Sequence, residues 1–374
     1  VSNKITMQQI ADSVGVSKFV VSKTLSGKGG VSEATRERVI AAATQLGYFT
    51  QKHVYMNAAK PEPAAEGAKS RQSVLLLMPN IRFQTKESLY WGRVLDGVSA
   101  RLEQEGCGMI IVSEQSIEHF VDILNPSGIL GLIGVGEIST SLLLEVHRIG
   151  LPMVLVDHED ALIPTDTVFA NNYESVYRLT KHLIGMGHRN MMFVGNVRYS
   201  RSFLDRFLGF RSALEERLPE ARKLSKEEQL VPLDGADQSE HLESFKSWAS
   251  ERMERNALPT ALVCANDRIA IGAVRALTEL GLSVPEQISV TGFDNIEDAY
   301  RIDPPLTTAH VPKEALGKRA VERLLGRIAS KNEPLEKILL TCDLLYRGTT
   351  CPVNEDGISE RYGLPGRDSR PEHN

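Results

Sequence analysis

Two groups of side chains carry chemistry by their type and spacing. In the first, Lys18, Phe19, Ser22 and Lys23 recur at helical spacing on one side of a short segment whose other side holds Val20, Val21, Thr24 and Leu25. A helix packed on a core has no use for an outward Phe beside two lysines. A helix laid in the DNA major groove does, because lysine reaches guanine O6/N7 or phosphate and an aromatic ring meets a thymine methyl. The second group is a series of polar pairs, each directly after an apolar run: Asp157-His158, Asn171-Asn172, Asn266-Asp267 and Asp294-Asn295. Ligands of open parallel sheets bind beyond the carboxyl ends of the strands, so these pairs mark a candidate cleft. Taken singly, each is also a place where Asp or Asn simply caps the next helix.

The elements that must position these groups follow from periodicity. Thr6 and Gln9 form a capping box, the helix they open turns Ile10 and Val14 inward, and Gly15 stops it. Ser17 caps the second helix, and a third runs from Ser32 through Val39, Ile40, Ala43 and Leu46 to a left-handed Gly47. Three short helices share one small core. Further on, apolar runs at 74–78, 109–112, 129–135, 153–156, 191–194, 261–263 and 288–290 alternate with amphipathic segments at 89–105, 141–150, 174–187, 207–217 and 268–281. This is the βαβ pattern of parallel sheets with helices on both faces, and the count fits two doubly wound halves.

Composition sets the outer limits. A chain of 374 residues exceeds what one core supports, so about two to three domains are expected. The net charge of −5 is unevenly spread: residues 1–57 hold seven Lys or Arg against three acids, a net of +4, and the remainder carries −9. A small basic module on an acidic body suits a protein whose first segment alone meets phosphates. No apolar run reaches ~18 residues and no apolar stretch opens the chain, which predicts neither membrane span nor secretion and a cytoplasmic location. Cys107, Cys264, Cys342 and Cys351 lack close pairing and read as reduced thiols, with no metal site and no cofactor. Residues 131–136 are glycine-rich without the GxGxxG spacing, and neither a P-loop lysine nor a Ser-His-Asp motif is evident, so no enzyme is expected. The i, i+6 spacing of His182 and His188 suits structural residues at a helix end.

With these residues in hand, a resemblance becomes specific. The segments Ile5-Thr6-Met7-Gln8-Gln9-Ile10-Ala11, Gly15-Val16-Ser17, Val21-Ser22-Lys23-Thr24-Leu25-Ser26-Gly27 and 31–39 through Leu46-Gly47-Tyr48 resemble the LacI/GalR repressor headpiece without a gap. Cys264-Ala265-Asn266-Asp267, Gly292-Phe293-Asp294-Asn295, Pro304-Pro305-Leu306-Thr307-Thr308 and Arg206-Phe207-Leu208-Gly209-Phe210 resemble effector-domain motifs of the same family, extending the likeness over 4 to about 350. The resemblance implies that Lys18, Phe19 and Lys23 read bases and that Thr6, Ser17 and Ser22 contact phosphates. It implies that Arg206, Asn266 and Asp294 bond an effector and that Tyr90-Trp91 line its cleft; Asp157 and Asn171 join them as polar strand ends. Departures are Val20 in place of the usual Thr, Lys23 in place of Arg or His, Asn171 in place of Asp, and Asn57, with Met56 beside it, where the family's hinge helix inserts a minor-groove leucine. The spacer after it, rich in Ala and Pro, is longer than the family norm.

The expected organisation is an all-α helix-turn-helix headpiece plus an α/β effector domain of two doubly wound parallel-sheet lobes, of the periplasmic-binding-protein-like type I. Its parts are a headpiece and hinge at 1–57, a flexible linker at 58–72, a two-lobed domain at 73–350 and a disordered tail at 351–374. The first lobe is expected at about 73–170 and 296–328, the second at about 171–295 and 329–350. The expected partners are double-stranded operator DNA, a sugar, a sugar phosphate or a purine that would stack on Trp91, and a second copy of the chain in a homodimer, with no membrane. A periplasmic solute-binding protein stays open as the alternative.

Overall fold

The chain is described from a computed structural model, which covers residues 6–25, 35, 38–39, 42, 72–79, 88–113, 128–233, 238–330 and 332–353. Two units separate, 1–70 and 71–374.

In the first unit, α1 (Met7–Val14) and α2 (Lys18–Leu25) are joined by a turn that Gly15 makes in the left-handed region at φ +71°, its N–H bonded to the Ala11 carbonyl at 2.9 Å. Ile10, Ala11, Val14, Val21 and Val39 form the core. Residues 35, 38, 39 and 42 are helical, as expected for the third helix, while Ser32, Gly47 and the hinge lie outside the described residues. Arg38 ties that helix to α1 by donating to the Val14 carbonyl at 2.8 Å.

The second unit holds two sheets. The first lobe begins with β1 (Ser73–Leu77), α3 (Trp91–Gln104), β2 (Gly108–Val112), β3 (Ile129–Val135), α4 (Thr140–Ile149), β4 (Met153–Val156) and β5 (Asp166–Ala170). The chain crosses at 171 into α5 (Asn172–Gly185), β6 (Met191–Val194), α6 (Arg201–Arg217), β7 (Leu230–Val231), α7 (Gln238–Glu254), β8 (Ala261–Cys264), α8 (Asp267–Glu279), β9 (Ser289–Asp294), α9 (Asp298–Arg301) and β10 (Thr307–His310). It returns through α10 (Lys313–Ala329) and β11 (Lys337–Leu340), and crosses last to β12 (Asp343–Leu345). The sheet orders are β11-β5-β4-β3-β1-β2 and β12-β10-β9-β8-β6-β7. Every pairing is parallel except β10 with β12. Strands such as β4, β6 and β8 are buried at every position, which is why they read as apolar runs without alternation.

Two lobe boundaries differ from the expectation. Residues 296–310 belong to the second lobe and not the first, because β10 pairs with β9 in register from Thr307 opposite Thr291 to His310 opposite Asp294. Residues 329–340 belong to the first lobe, because β11 adds to the free side of β5. The helix between them, α10, lies against α3 at backbone contact: a Cβ on Gly97 would stand 2.0 Å from the Glu314 carbonyl oxygen, and one on Gly317 2.1 Å from that of Val94. Glycine at both positions lets the two helices approach as one rigid pair.

The tail also starts later than expected. Val353 donates to the Met186 carbonyl at 2.9 Å, and the buried His188 ring meets Thr260 Oγ1 and the Cys351 carbonyl, each at 3.0 Å. His182 packs on Tyr346 with ring centroids 4.0 Å apart. Both histidines thus serve packing. Residues 354–374 lie outside the described residues.

Candidate functional site

In the first unit, local chemistry orients one helix face outward. The Thr6 hydroxyl accepts from the Gln9 N–H at 3.3 Å while the Gln9 side chain accepts from the Thr6 N–H at 2.8 Å, closing the capping box; Ser17 Oγ caps α2 at Val20. With Val21 and Thr24 buried beneath, α2 turns Lys18, Phe19 and Ser22 to solvent and leaves Lys23 half-buried. Phe19 is 73% exposed and the Lys23 ammonium stands 5.9 Å from its ring centroid. A large apolar ring left in water on a lysine-bearing helix is the kind of surface that waits for a partner. Thr6 and Ser17 are exposed beside it, whereas Met56 and Asn57 lie outside the described residues.

In the second unit, the polar strand ends converge. Arg206, on α6, is 2% exposed: Nε donates to Asn172 Oδ1 at 2.8 Å, Nη1 to the Ala265 carbonyl at 2.6 Å, and Nη2 stands 3.5 Å from Asp294 Oδ1. Its guanidinium also lies 3.8 Å from the Phe293 ring centroid. From the first lobe, Asp157 accepts from the Ser202 hydroxyl, and Asn172 Nδ2 donates to the same hydroxyl at 3.0 Å. A short chain of polar contacts therefore runs from Asp157 across the cleft through Ser202 and Asn172 to Arg206 and Asp294. Tyr90 and Trp91, at the start of α3, meet edge to face at 4.8 Å.

Two features set this cluster apart from a finished core. Asp294 Oδ1 and Tyr90 Oη are buried without a hydrogen-bond partner among the described residues, a costly state that an incoming donor or acceptor relieves. Both carboxylates also sit on backbone that L-residues avoid, with φ +56° at Asp157 and +110° at Asp294, followed by +52° at Asn295. Strain of this kind persists only where the surroundings over-determine it, and it gathers at binding sites.

The electrostatics agree. Burial pushes Asp294 up to about 6 against the pull of Arg206 and Lys313, and pushes Asp157 up against Arg206 and the Ser202 hydroxyl. Behind them Asp267 is pushed up to about 8 by burial and by Asp294, although it accepts from the Ile296 N–H at 2.8 Å and the Thr308 hydroxyl at 2.5 Å. Tyr90 is held well above its usual value by burial and by Asp157 and Asp294. A groove of about 550 Å³ lined by Leu89, Gly92, Asn295, Tyr300 and Lys313 adjoins this cluster, and one of about 440 Å³ beside Ile271 and Arg301 lies elsewhere.

Of the residues expected at the cleft, the structure brings Asp157, Arg206, Asp294 and Tyr90 together, with Trp91 against Tyr90. Asn171 and Asn266 serve mainly as helix caps, their side chains accepting from the Glu174 N–H at 3.4 Å and the Ile269 N–H at 3.0 Å. The amide that reaches Arg206 is Asn172, one residue on. Ser202 and Lys313 escaped the sequence reading, in which Asn172 stood only as the second member of a polar pair.

A model of bacterial regulatory proteins of the lacI family matches residues 6–51, and one of a periplasmic binding protein-like domain matches 180–350. The repressor PurR of Actinobacillus pleuropneumoniae serotype 3 (strain JL03) is 30% identical over 331 residues, spanning 86% of this chain and 91% of its own. The regulator DegA of Bacillus subtilis (strain 168) is 28% identical over 94% of this chain and 99% of its own. The chain belongs to the LacI family. It is a transcriptional regulator of that family and not an enzyme. Among solved structures, the fold matches the regulator CelR in complex with cellobiose, with TM-score 0.65 and 21% identity over 92% of this chain and 99% of that one. It also matches the lac repressor dimer bound to operator and the anti-inducer ONPF, with TM-score 0.62 and 23% identity over 93% and 100%. Among the described residues no helix is long and apolar enough to cross a membrane, and no group of three His, Cys, Asp or Glu could hold a metal ion.

Proposed function

We propose that this LacI-family protein is a cytoplasmic repressor that binds a pseudo-palindromic operator as a homodimer and releases or tightens on it when a small molecule enters the cleft. Lys18, Phe19 and Lys23 read bases, while Thr6, Ser17 and Ser22 meet phosphates, with Met56 and Asn57 as the minor-groove contact of the hinge. Two headpieces on one dimer square the modest affinity of a single short helix. The exposed Phe19 is the observation that supports base reading, since among the described residues its ring is left largely in water.

The effector is an uncharged sugar, bound by Asp157, Arg206 and Asp294 against Tyr90 and Trp91, with Asn171 and Asn266 at the rim. The observation that carries this choice is two half-buried carboxylates around one guanidinium, whose Nε and Nη1 already donate to Asn172 and the Ala265 carbonyl. Hydroxyls donate to carboxylates, whereas a phosphorylated sugar would press its dianion against both. The aromatic pair and the PurR relatives favour a second reading, a purine stacked on Trp91.

Thermal shift of the full chain against free sugars, their phosphates and purines separates these readings. A shift by a neutral sugar that disappears in Arg206→Ala supports the first; a shift by purines alone replaces it with the second. Operator selection from a random palindromic library, repeated as salt rises, tests the headpiece: binding that is indifferent to salt and sequence refutes it.

A further inference from the structure

The Asp294-Asn295 turn is held from the opposite lobe. Lys313, the first residue of α10, is only 5% exposed, and its ammonium donates to the carbonyls of Asp294 at 2.5 Å, Asn295 at 3.2 Å and Val311 at 3.4 Å. Three carbonyls match the three donors of an ammonium. The same nitrogen stands 6.0 Å from the Tyr90 ring centroid. Asn295 is gripped on its other side: its Nδ2 meets His310 Nδ1 at 3.0 Å and its Oδ1 accepts from Arg347 at 2.8 Å.

The need for this grip lies in the backbone. Two consecutive non-glycine residues at positive φ are strained, and only firm surroundings keep them there. Without it, the turn relaxes and the Asp294 carboxylate swings from the cleft. Lys313 is anchored in turn, because α10 and α3 meet backbone to backbone at Gly317 and Gly97. The helix that starts with Lys313 is therefore fixed to the helix that starts with Trp91 and follows Tyr90.

We infer that Lys313 is a positioning residue for the effector site: from the first lobe it holds the second lobe's Asp294 in its ligand-facing pose and ties it to the Tyr90-Trp91 platform. This deepens the reading of the cleft as an effector site and rests on it. The Lys313 ammonium is taken up by the carbonyls of Asp294, Asn295 and Val311. It makes one strained turn the joint between the two lobes, so that a ligand drawing on Asp294 also pulls on the α3–α10 pair.

Hydrogen exchange on the full, ligand-free chain tests this with Lys313→Met, which keeps the stem and removes the donors, and Lys313→Arg, which keeps donors and charge. In the Met variant the amides of residues 294–297 should exchange about tenfold faster or more, while residues 318–329 of α10 stay protected; the Arg variant should restore most of the protection. A mere packing role would loosen α10 as a whole without rescue by Arg. Unchanged exchange at 294–297 in the Met variant, or equal loosening of turn and helix, overturns the proposal. The cleft reading fails separately: a thermal shift by cellobiose or ribose that survives Asp294→Asn and Arg206→Ala would remove the effector site and leave the exchange result standing.

Discussion

Replacing Arg206 by Met isolates the buried pair at the centre of the cleft. The methionine leaves an apolar stem beside Phe293 and removes three contacts together: Nε to Asn172, Nη1 to the Ala265 carbonyl, and the 3.5 Å approach to Asp294. Breaking one partner of a buried ion pair costs about 3–5 kcal/mol, because the other charge is left behind. Protonation limits that loss here. Asp294 already sits at about 6 with the guanidinium beside it, so without it the carboxyl goes neutral near pH 7 at little expense. The low end follows, about 3 kcal/mol, or a fall in Tm of roughly 6–12 °C for the sensor. The gap should narrow toward about pH 5, where Asp294 is protonated in the parent as well and the pair is already lost. Adding Asp294→Asn should relieve the Arg206→Met variant, with a coupling of about 1 kcal/mol or more between the two sites. Urea and thermal unfolding of the full chain near pH 5 and pH 7.5, followed by the sensor's near-ultraviolet signal, measure all three quantities. A loss independent of pH, or an Asp294→Asn change that simply adds its own cost, refutes the reasoning.

The raised acids set a further pH dependence. Because the folded chain keeps protons on Asp267 to about 8 and on Asp294 to about 6 that the unfolded chain releases near 4, their stabilising contribution is full below about 4 and lost as pH rises through those values. His158, His188 and His310 are lowered by burial and act oppositely, favouring the folded state as pH rises to about 6.5. The urea midpoint should therefore fall between about pH 6.5 and 8, and Asp267→Asn should flatten that fall; a rising midpoint would contradict the assignment. Gly317→Ala drives a methyl against the Val94 carbonyl oxygen, which cannot yield, and should cost the sensor about 1–3 kcal/mol in thermal unfolding. In the headpiece, Thr6→Ala should lose about 1 kcal/mol of stability with its capping box. Phe19→Ala should leave stability unchanged yet weaken selected operators by about 1–3 kcal/mol in a binding titration, and equal stability losses in both variants would remove the reader role.

How much of this was legible depended on how local the cause was. The capping box at Thr6, the left-handed Gly15 and the apolar runs of β1, β3, β4 and β6 are set by neighbours in sequence, and they read directly. Helix α10 did not, although its residues are strongly helical, because what places it is the Gly97–Gly317 contact across more than two hundred residues. The same holds for β11, an edge strand whose apolar run is only Ile338-Leu339-Leu340, with Lys337 and Leu339 exposed. The lobe boundaries slipped for one reason: a crossover is defined by which sheet a strand joins, and strand pairing is long-range information that periodicity lacks.

The cleft divides along the same line. Polar pairs at strand ends pointed to the right places because the carboxyl ends of parallel strands are where a doubly wound sheet opens. Within a pair, however, the role depends on backbone angle. Asn171 and Asn266 stand at the N-cap positions of helices, so their side chains curl back to cap, and the next residue or the preceding carbonyl faces Arg206 instead. Asp157 and Asp294 end strands in the left-handed region, which turns their carboxylates away from any capping role and into the cleft. Among these four residues, the sign of φ separates the two that cap a helix from the two that do not. In this chain that sign at Asp294 is held by Lys313, from a lobe nineteen residues further along, which no pattern of polar pairs could have shown.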